Sequence, residues 1–162
     1  MSTPGPTRPS NEPRASFGER GMAFSYPMSQ GWAFIDSPPY HRWNAPGPDA
    51  VAFRTRGPFR IHILDNKNYA SRTTASRATA LTPRSLIRNL DPLIATIAQP
   101  RFDDVPRIQQ LRTHLQGTRM ALAGGKPLPK QVKLVVTNFG GKVGRVGPTL
   151  RRRGIIFRNI NP

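Results

Sequence analysis

Apolar residues first gather in Trp32-Ala33-Phe34-Ile35, a short run that Pro38-Pro39 stops and that reads as a first strand or a docking segment. Upstream, residues 1–31 are rich in Pro, Gly, Ser and Arg and carry few apolar side chains in any period. Such a stretch buries too little to offset the entropy of ordering, so the pattern predicts a flexible Pro/Arg-rich arm over 1–31 and one folded domain over 32–162.

Two strands around a tight turn come next. Pro48-Asp49 opens the apolar triplet Val51-Ala52-Phe53, and the run Phe59-Arg60-Ile61-His62-Ile63-Leu64-Asp65 follows a turn centred on Gly57. With Gly57 as pivot, Asp49 falls opposite Asp65, where cross-strand Cβ atoms are about 5 Å apart. Strand alternation puts Ile61, Ile63, Asp65 and Lys67 on one face and His62, Leu64 and Asn66 on the other.

The period then changes from two to 3.6. Thr82-Pro83 reads as an N-cap with proline at the first helical position, and Leu86, Ile87, Leu90, Ile94 and Ile97 recur at helical spacing, with a kink or restart expected at Asp91-Pro92. A second helix is predicted over 106–122, capped by Asp104 and ended by Gly124-Gly125, with Ile108, Leu111, Leu115 and Leu122 on one side. The β-branched run over 132–136, a short helix over 148–153 and a strand over 155–157 suggest a parallel strand–helix–strand unit. The fold class is therefore α/β, a mixed sheet with an antiparallel hairpin and flanking helices.

Charge changes this picture most. Of 162 residues, 25 are Lys or Arg against 8 Asp or Glu, a formal charge of +17. That excess calls for a polyanion, nucleic acid first, because neutralised phosphates release condensed counterions. No membrane partner is expected, since no run of roughly 18 apolar residues and no basic amphipathic surface helix occurs. Cysteine is absent, which excludes disulfides, thiolate zinc sites and thiol catalysis. The first twenty residues lack the apolar core of an ordinary export signal.

The candidate chemistry is Asp65-Asn66-Lys67, directly after an apolar strand, with Asp49 one hairpin upstream. Phosphodiester cleavage needs a divalent cation held by carboxylate oxygens beside the scissile phosphate. Asp49 and Asp65 supply such oxygens, and Lys67, two residues on, would orient the attacking water and offset negative charge in the transition state. This is the layout of the PD-(D/E)xK motif.

On Pro48-Asp49, on Ile63-Leu64-Asp65-Asn66-Lys67-Asn68-Tyr69, and on Leu134-Val135-Val136-Thr137-Asn138-Phe139-Gly140-Gly141, the chain resembles the restriction-endonuclease-fold toxin domains of bacterial polymorphic toxins and contractile-injection-system effectors. The resemblance runs from about Gly47 to the end. It implies Mg2+ or Mn2+ as cofactor, DNA as substrate with RNA second, and an acidic immunity protein as partner. It also implies delivery into a target-cell cytoplasm by an injection or secretion apparatus. The family pattern often adds a glutamate on an early helix; only Glu12 and Glu19 stand in that region, both in the arm, so the third metal ligand is left unassigned.

Auxiliary candidates are Gln109 and Gln110, which would bring an amide to the phosphate, or else are two exposed helix glutamines. Arg151-Arg152-Arg153 reads either as a phosphate contact or as a solvated helix end that favours the dipole. His41, His62 and His114 share no metal-ligand spacing and read as structural. Trp32, Tyr40, Trp43 and Tyr69 would stack on bases, with core packing as the default. The alternative class is a non-catalytic nucleic-acid-binding protein, for example one associated with ribosomal RNA.

Overall fold

The computed structural model describes residues 23–36, 50–67, 81–139 and 146–160. Among them are strands β1 (Trp32–Asp36), β2 (Ala50–Arg54), β3 (Ile61–Lys67), β4 (Val132–Phe139) and β5 (Ile156–Ile160), and helices α1 (Pro83–Ile97), α2 (Ile108–Ala123) and α3 (Val146–Arg152). The strands form one mixed sheet in sequence order. β1, β2 and β3 are antiparallel neighbours; β3, β4 and β5 run parallel. Both parallel connections pass through helices, as a crossover must.

In the β2–β3 hairpin Ala50 faces Leu64 and Phe53 faces Ile61, the register that a pivot at Gly57 predicts. Gly57 has φ +72°, a left-handed backbone that a side chain would strain. β3 begins two residues later than expected and runs on to Lys67, because its pairing with β4 extends from Ile61–Val132 to Lys67–Asn138.

The helices cover one face. Val51, Phe53, Ile61, Ile63, Leu134 and Val136 of the sheet pack in one cluster with Leu86, Leu90, Leu93 and Ile97 of α1, with Leu111 and Leu115 of α2 and with Leu150 of α3. Each such side chain contributes about 1.5–3 kcal/mol on burial. The opposite face carries a smaller cluster of Tyr26, Ala50, Ala52, Leu64 and Val135, with Trp32, Phe34 and Ile156 against it. Because both faces are covered, β2 is buried at four consecutive positions, Ala50 to Phe53, instead of alternating.

The packed region reaches upstream of the boundary expected at residue 31. Two 3-10 turns, Ala23–Ser25 and Met28–Gln30, lead Tyr26 onto the sheet, where its ring is 2 % exposed and meets Trp32 edge-on at 4.9 Å. Bulk composition judged this segment by its average. The Tyr26 ring over an apolar face docks it, together with bonds from Arg54 to Gln30 O, from Arg56 to Ser29 O and from the Thr55 amide to Gly31 O.

Helix α1 starts as its cap residues direct: Thr82 Oγ1 accepts a hydrogen bond from the Ser85 amide at 3.2 Å, and Pro83 occupies the first turn. It continues as one helix through Pro92, where a kink or restart is expected. Helix α2 starts later than predicted and is not capped by Asp104. Its N-cap is Arg107, in the left-handed region at φ 63°, with no side-chain cap bond. The Arg107 guanidinium instead donates to Gly57 O at 2.8 Å, tying the start of α2 to the hairpin turn and offsetting the backbone cost. Arg112 donates through Nε and Nη2 to Ile97 O, one of the carbonyls left over at the end of α1, and Arg119 pairs with Asp91 at 2.7 Å. No helix among the described residues is long and apolar enough to cross a membrane.

Candidate functional site

β3 is the central strand, and its carboxyl end breaks the apolar pattern. Asp65 stands on the helix-covered face after Ile61 and Ile63 and is 1 % exposed. On the parallel neighbour, Val132, Leu134 and Val136 lead on the same face to Asn138, also buried. On the other face Thr137 Oγ1 donates to Asn66 Oδ1 at 2.9 Å. Both strands therefore turn polar on both faces at their carboxyl ends, the place where open α/β sheets bind ligands. Asn138 is not among the site residues that the sequence singles out; the alternation through Val132, Leu134 and Val136, continued one step, is the signal for it.

The other predicted residues distribute unevenly. Asp49 lies outside the described residues, one position before Ala50, which opens β2 opposite Leu64. Lys67 closes β3 with its backbone paired to Asn138; its side chain lies outside the described set. Gln109 and Gln110 are exposed on the first turn of α2, and their carbonyls engage Thr113 Oγ1 and His114 Nδ1. That turn is held at the Gly57 end of the hairpin, and Asp65 lies roughly 13 Å further along β3 than Ile61 at about 3.3 Å per residue. The structure does not bring the glutamines and Asp65 together. Arg151, Arg152 and Arg153 are exposed at the end of α3, where Arg152 Nη2 donates to Thr149 Oγ1 at 3.2 Å. Arg153 also borders a mostly apolar cavity of about 750 Å³ that includes Leu81, Leu122, Leu134 and Ile155. Among the described residues no group of three or more His, Asp, Glu or Cys is placed to hold a metal ion.

A second polar cluster sits on the face turned away from the helices. The Tyr26 hydroxyl lies 2.8 Å from His62 Nδ1, and Arg158 Nη1 donates to the same hydroxyl at 3.2 Å. Burial pushes the Tyr26 phenol up to about 12, against a smaller opposing pull from Arg158. Burial also lowers His62 to about 4, helped by the positive charges of Arg158, Arg60 and Lys133. His62 is thus a neutral imidazole at pH 7. Since Arg158 already donates to the phenol oxygen, the assignment in which Tyr26 donates to Nδ1 and the ring proton sits on Nε2 gives both bonds at the hydroxyl a donor and an acceptor. His41, Tyr40, Trp43 and Tyr69 lie outside the described residues, while Trp32 is half-buried against Tyr26 with the Arg54 guanidinium 5.2 Å from its ring centre.

In comparisons with known proteins, no family model, no curated protein and no solved structure matches this chain.

Proposed function

We propose that the protein is a metal-dependent nuclease of restriction-endonuclease-like type, cutting DNA by hydrolysis at a site built on Asp49, Asp65 and Lys67. The observation that carries this reading is Asp65: a fully buried carboxylate at the carboxyl end of the central strand, in a hairpin whose register runs toward Asp49, in a chain of charge +17. Positions that violate the pattern of their own element are where function is to be sought.

The donor set suits a hard divalent cation. Asp49 and Asp65 offer carboxylate oxygens, the chain has no cysteine, and the His62 ring belongs to the opposite face. Magnesium or manganese, when bound by these two, supplies Lewis-acid polarisation of the phosphate and acidifies water. The chain's own part is electrostatic and positional. Asp65 is held by the sheet in a water-poor setting, where its charge acts at short range with little screening. Lys67 orients the attacking water and offsets the charge that gathers on the phosphoryl oxygens. Arg151, Arg152 and Arg153 hold the polyanion.

The resemblance of the segments around Asp49 and Asp65 to toxin domains extends the proposal to an effector toxin that is carried into a target cell and restrained in the producer by an acidic immunity protein. A non-catalytic binder of nucleic acid, such as an rRNA-associated protein, accounts for the charge but not for Asp65, because a buried acid beside a phosphate surface repels it. The test is plasmid DNA and total RNA incubated with the protein in magnesium or chelator, beside Asp65→Ala and Lys67→Ala. Magnesium-dependent loss of DNA, abolished in both variants while they still bind it, is the expected result. Intact DNA and RNA shifted equally by all three proteins would leave a binding protein.

A further inference from the structure

The opposite end of the same strands carries a feature that the Asp65 site does not use. At the amino-terminal ends of β3 and β4 lies an open cavity of about 320 Å³ lined by Phe59, Arg60, His62, Lys130, Gln131 and Lys133. Three of the six are cations, none is an acid, and Arg60, Lys130 and Lys133 are exposed. The remaining side chains also carry donors: the Gln131 NH2 group and, in the tautomer assigned above, His62 Nε2, the nitrogen left once Nδ1 is taken by Tyr26. Phe59 is fixed as a wall by His114, whose ring lies 4.9 Å away, with Arg107 6.0 Å from its ring centre.

We propose that this cavity is a phosphate-binding cradle for a nucleic-acid backbone, separate from the Asp65 end of the sheet. The assignment rests on the reading that nucleic acid is the partner. Three flexible cations around an open hollow neutralise phosphates without reading bases, and a neutral imidazole N–H and an amide add directional donors. A drug-sized ligand calls for a concave, mostly apolar pocket that buries most of its surface. This hollow is open, and its cations stand in solvent, as suits a polymer passing across it. His62 is held by Tyr26, whose hydroxyl also accepts from Arg158, so its N–H is presented from a rigid support while the cations adapt.

The experiment uses the full chain carrying Asp65→Asn, in chelator, so that binding is measured without cutting. Affinity for a duplex DNA oligonucleotide is followed against salt for this protein, for the same protein with Arg60→Gln/Lys130→Gln/Lys133→Gln, and for one with Arg84→Gln/Arg88→Gln/Arg101→Gln, a matched loss of charge on exposed helix and turn positions. The cavity triple is expected to weaken binding by about 10- to 100-fold near 0.1 M salt and to flatten the logarithmic salt slope by about 2 to 3. The control triple should change the slope by less than about 1, with melting temperatures unchanged in both. Equal losses in the two triples would overturn the cradle in favour of a diffuse field. Displacement of DNA by micromolar inorganic phosphate would also overturn it, by making the hollow a small-anion site. Cutting in magnesium by the Asp65 form of each triple is scored separately: a cavity that fails leaves magnesium-dependent cutting intact, whereas a failed nuclease reading leaves the salt slopes as predicted with no cutting at all.

Discussion

His62 and Asp65 stand three residues apart on the central strand, both buried, both polar, on opposite faces. Their surroundings differ in kind. His62 Nδ1 is bonded to the Tyr26 hydroxyl, which also accepts from Arg158, and its desolvation is answered by remaining neutral. Asp65 sits at the strand's carboxyl end, opposite Val136 and one same-face position before the buried Asn138. Under the proposed function, the first is a buried polar group that locks a segment onto the sheet and the second one that serves chemistry. A polar residue inside a sheet is informative only with its partners and its place along the strand.

The largest effect that would sharpen this contrast belongs to the proposed site. Lys67→Ala should lower the single-turnover cleavage rate by about 10²- to 10³-fold, the usual cost of removing one group that stabilises transition-state charge, with DNA binding retained in a gel-shift assay. The next effect is on stability. Tyr26→Phe deletes the hydroxyl that His62 and Arg158 share and should cost about 1–3 kcal/mol in urea unfolding, without altering cleavage per folded molecule at saturating DNA. Full stability in that variant would mean that the cluster is no lock.

A third effect is a pH dependence. His62 titrates at about 4 when folded against 6.5 when unfolded. Above 6.5 the ring is neutral in both states. As pH falls from 6.5 toward 4 the unfolded chain takes up a proton that the folded chain does not, so stability drops through that window by up to one proton's slope. His62→Gln should flatten the urea midpoint between pH 7 and 4; an unchanged profile would place the ring in a more hydrated setting than its contacts imply. The smallest effect is expected from Gln109→Ala/Gln110→Ala, which should change cleavage by less than about twofold and stability by about 0.5 kcal/mol or less, because both side chains are exposed at the Gly57 end of the hairpin. A hundredfold loss there would bring α2 into the site.

Local rules made the hairpin and α1 readable in advance. Gly57 set the register, and Thr82 with Pro83 set the helix start, because each acts through its own backbone. The face on which Asp65 stands followed from alternation with Ile61 and Ile63; its burial did not. What could not be read were contacts between distant parts of the chain. Tyr26 and His62 are 36 residues apart, and no period links them. Asp104 had the right type for a cap, yet α2 begins after Arg107, whose left-handed backbone is stabilised by a bond to Gly57 O fifty residues away in sequence. Asn138 was missed for a different reason. Its strand was read as ending at Val136, before the pairing of Lys67 with Asn138 extended it.

The most direct measurement is the single-turnover cleavage of saturating DNA in magnesium by Asp65→Asn and His62→Asn side by side, with the folded fraction of each matched by circular dichroism. Asp65→Asn should lose cutting entirely while His62→Asn, though less stable, keeps it within a few-fold of the parent. Loss of cutting in the folded His62 variant with normal cutting by Asp65→Asn would contradict the account and move the chemistry to the other face of the sheet.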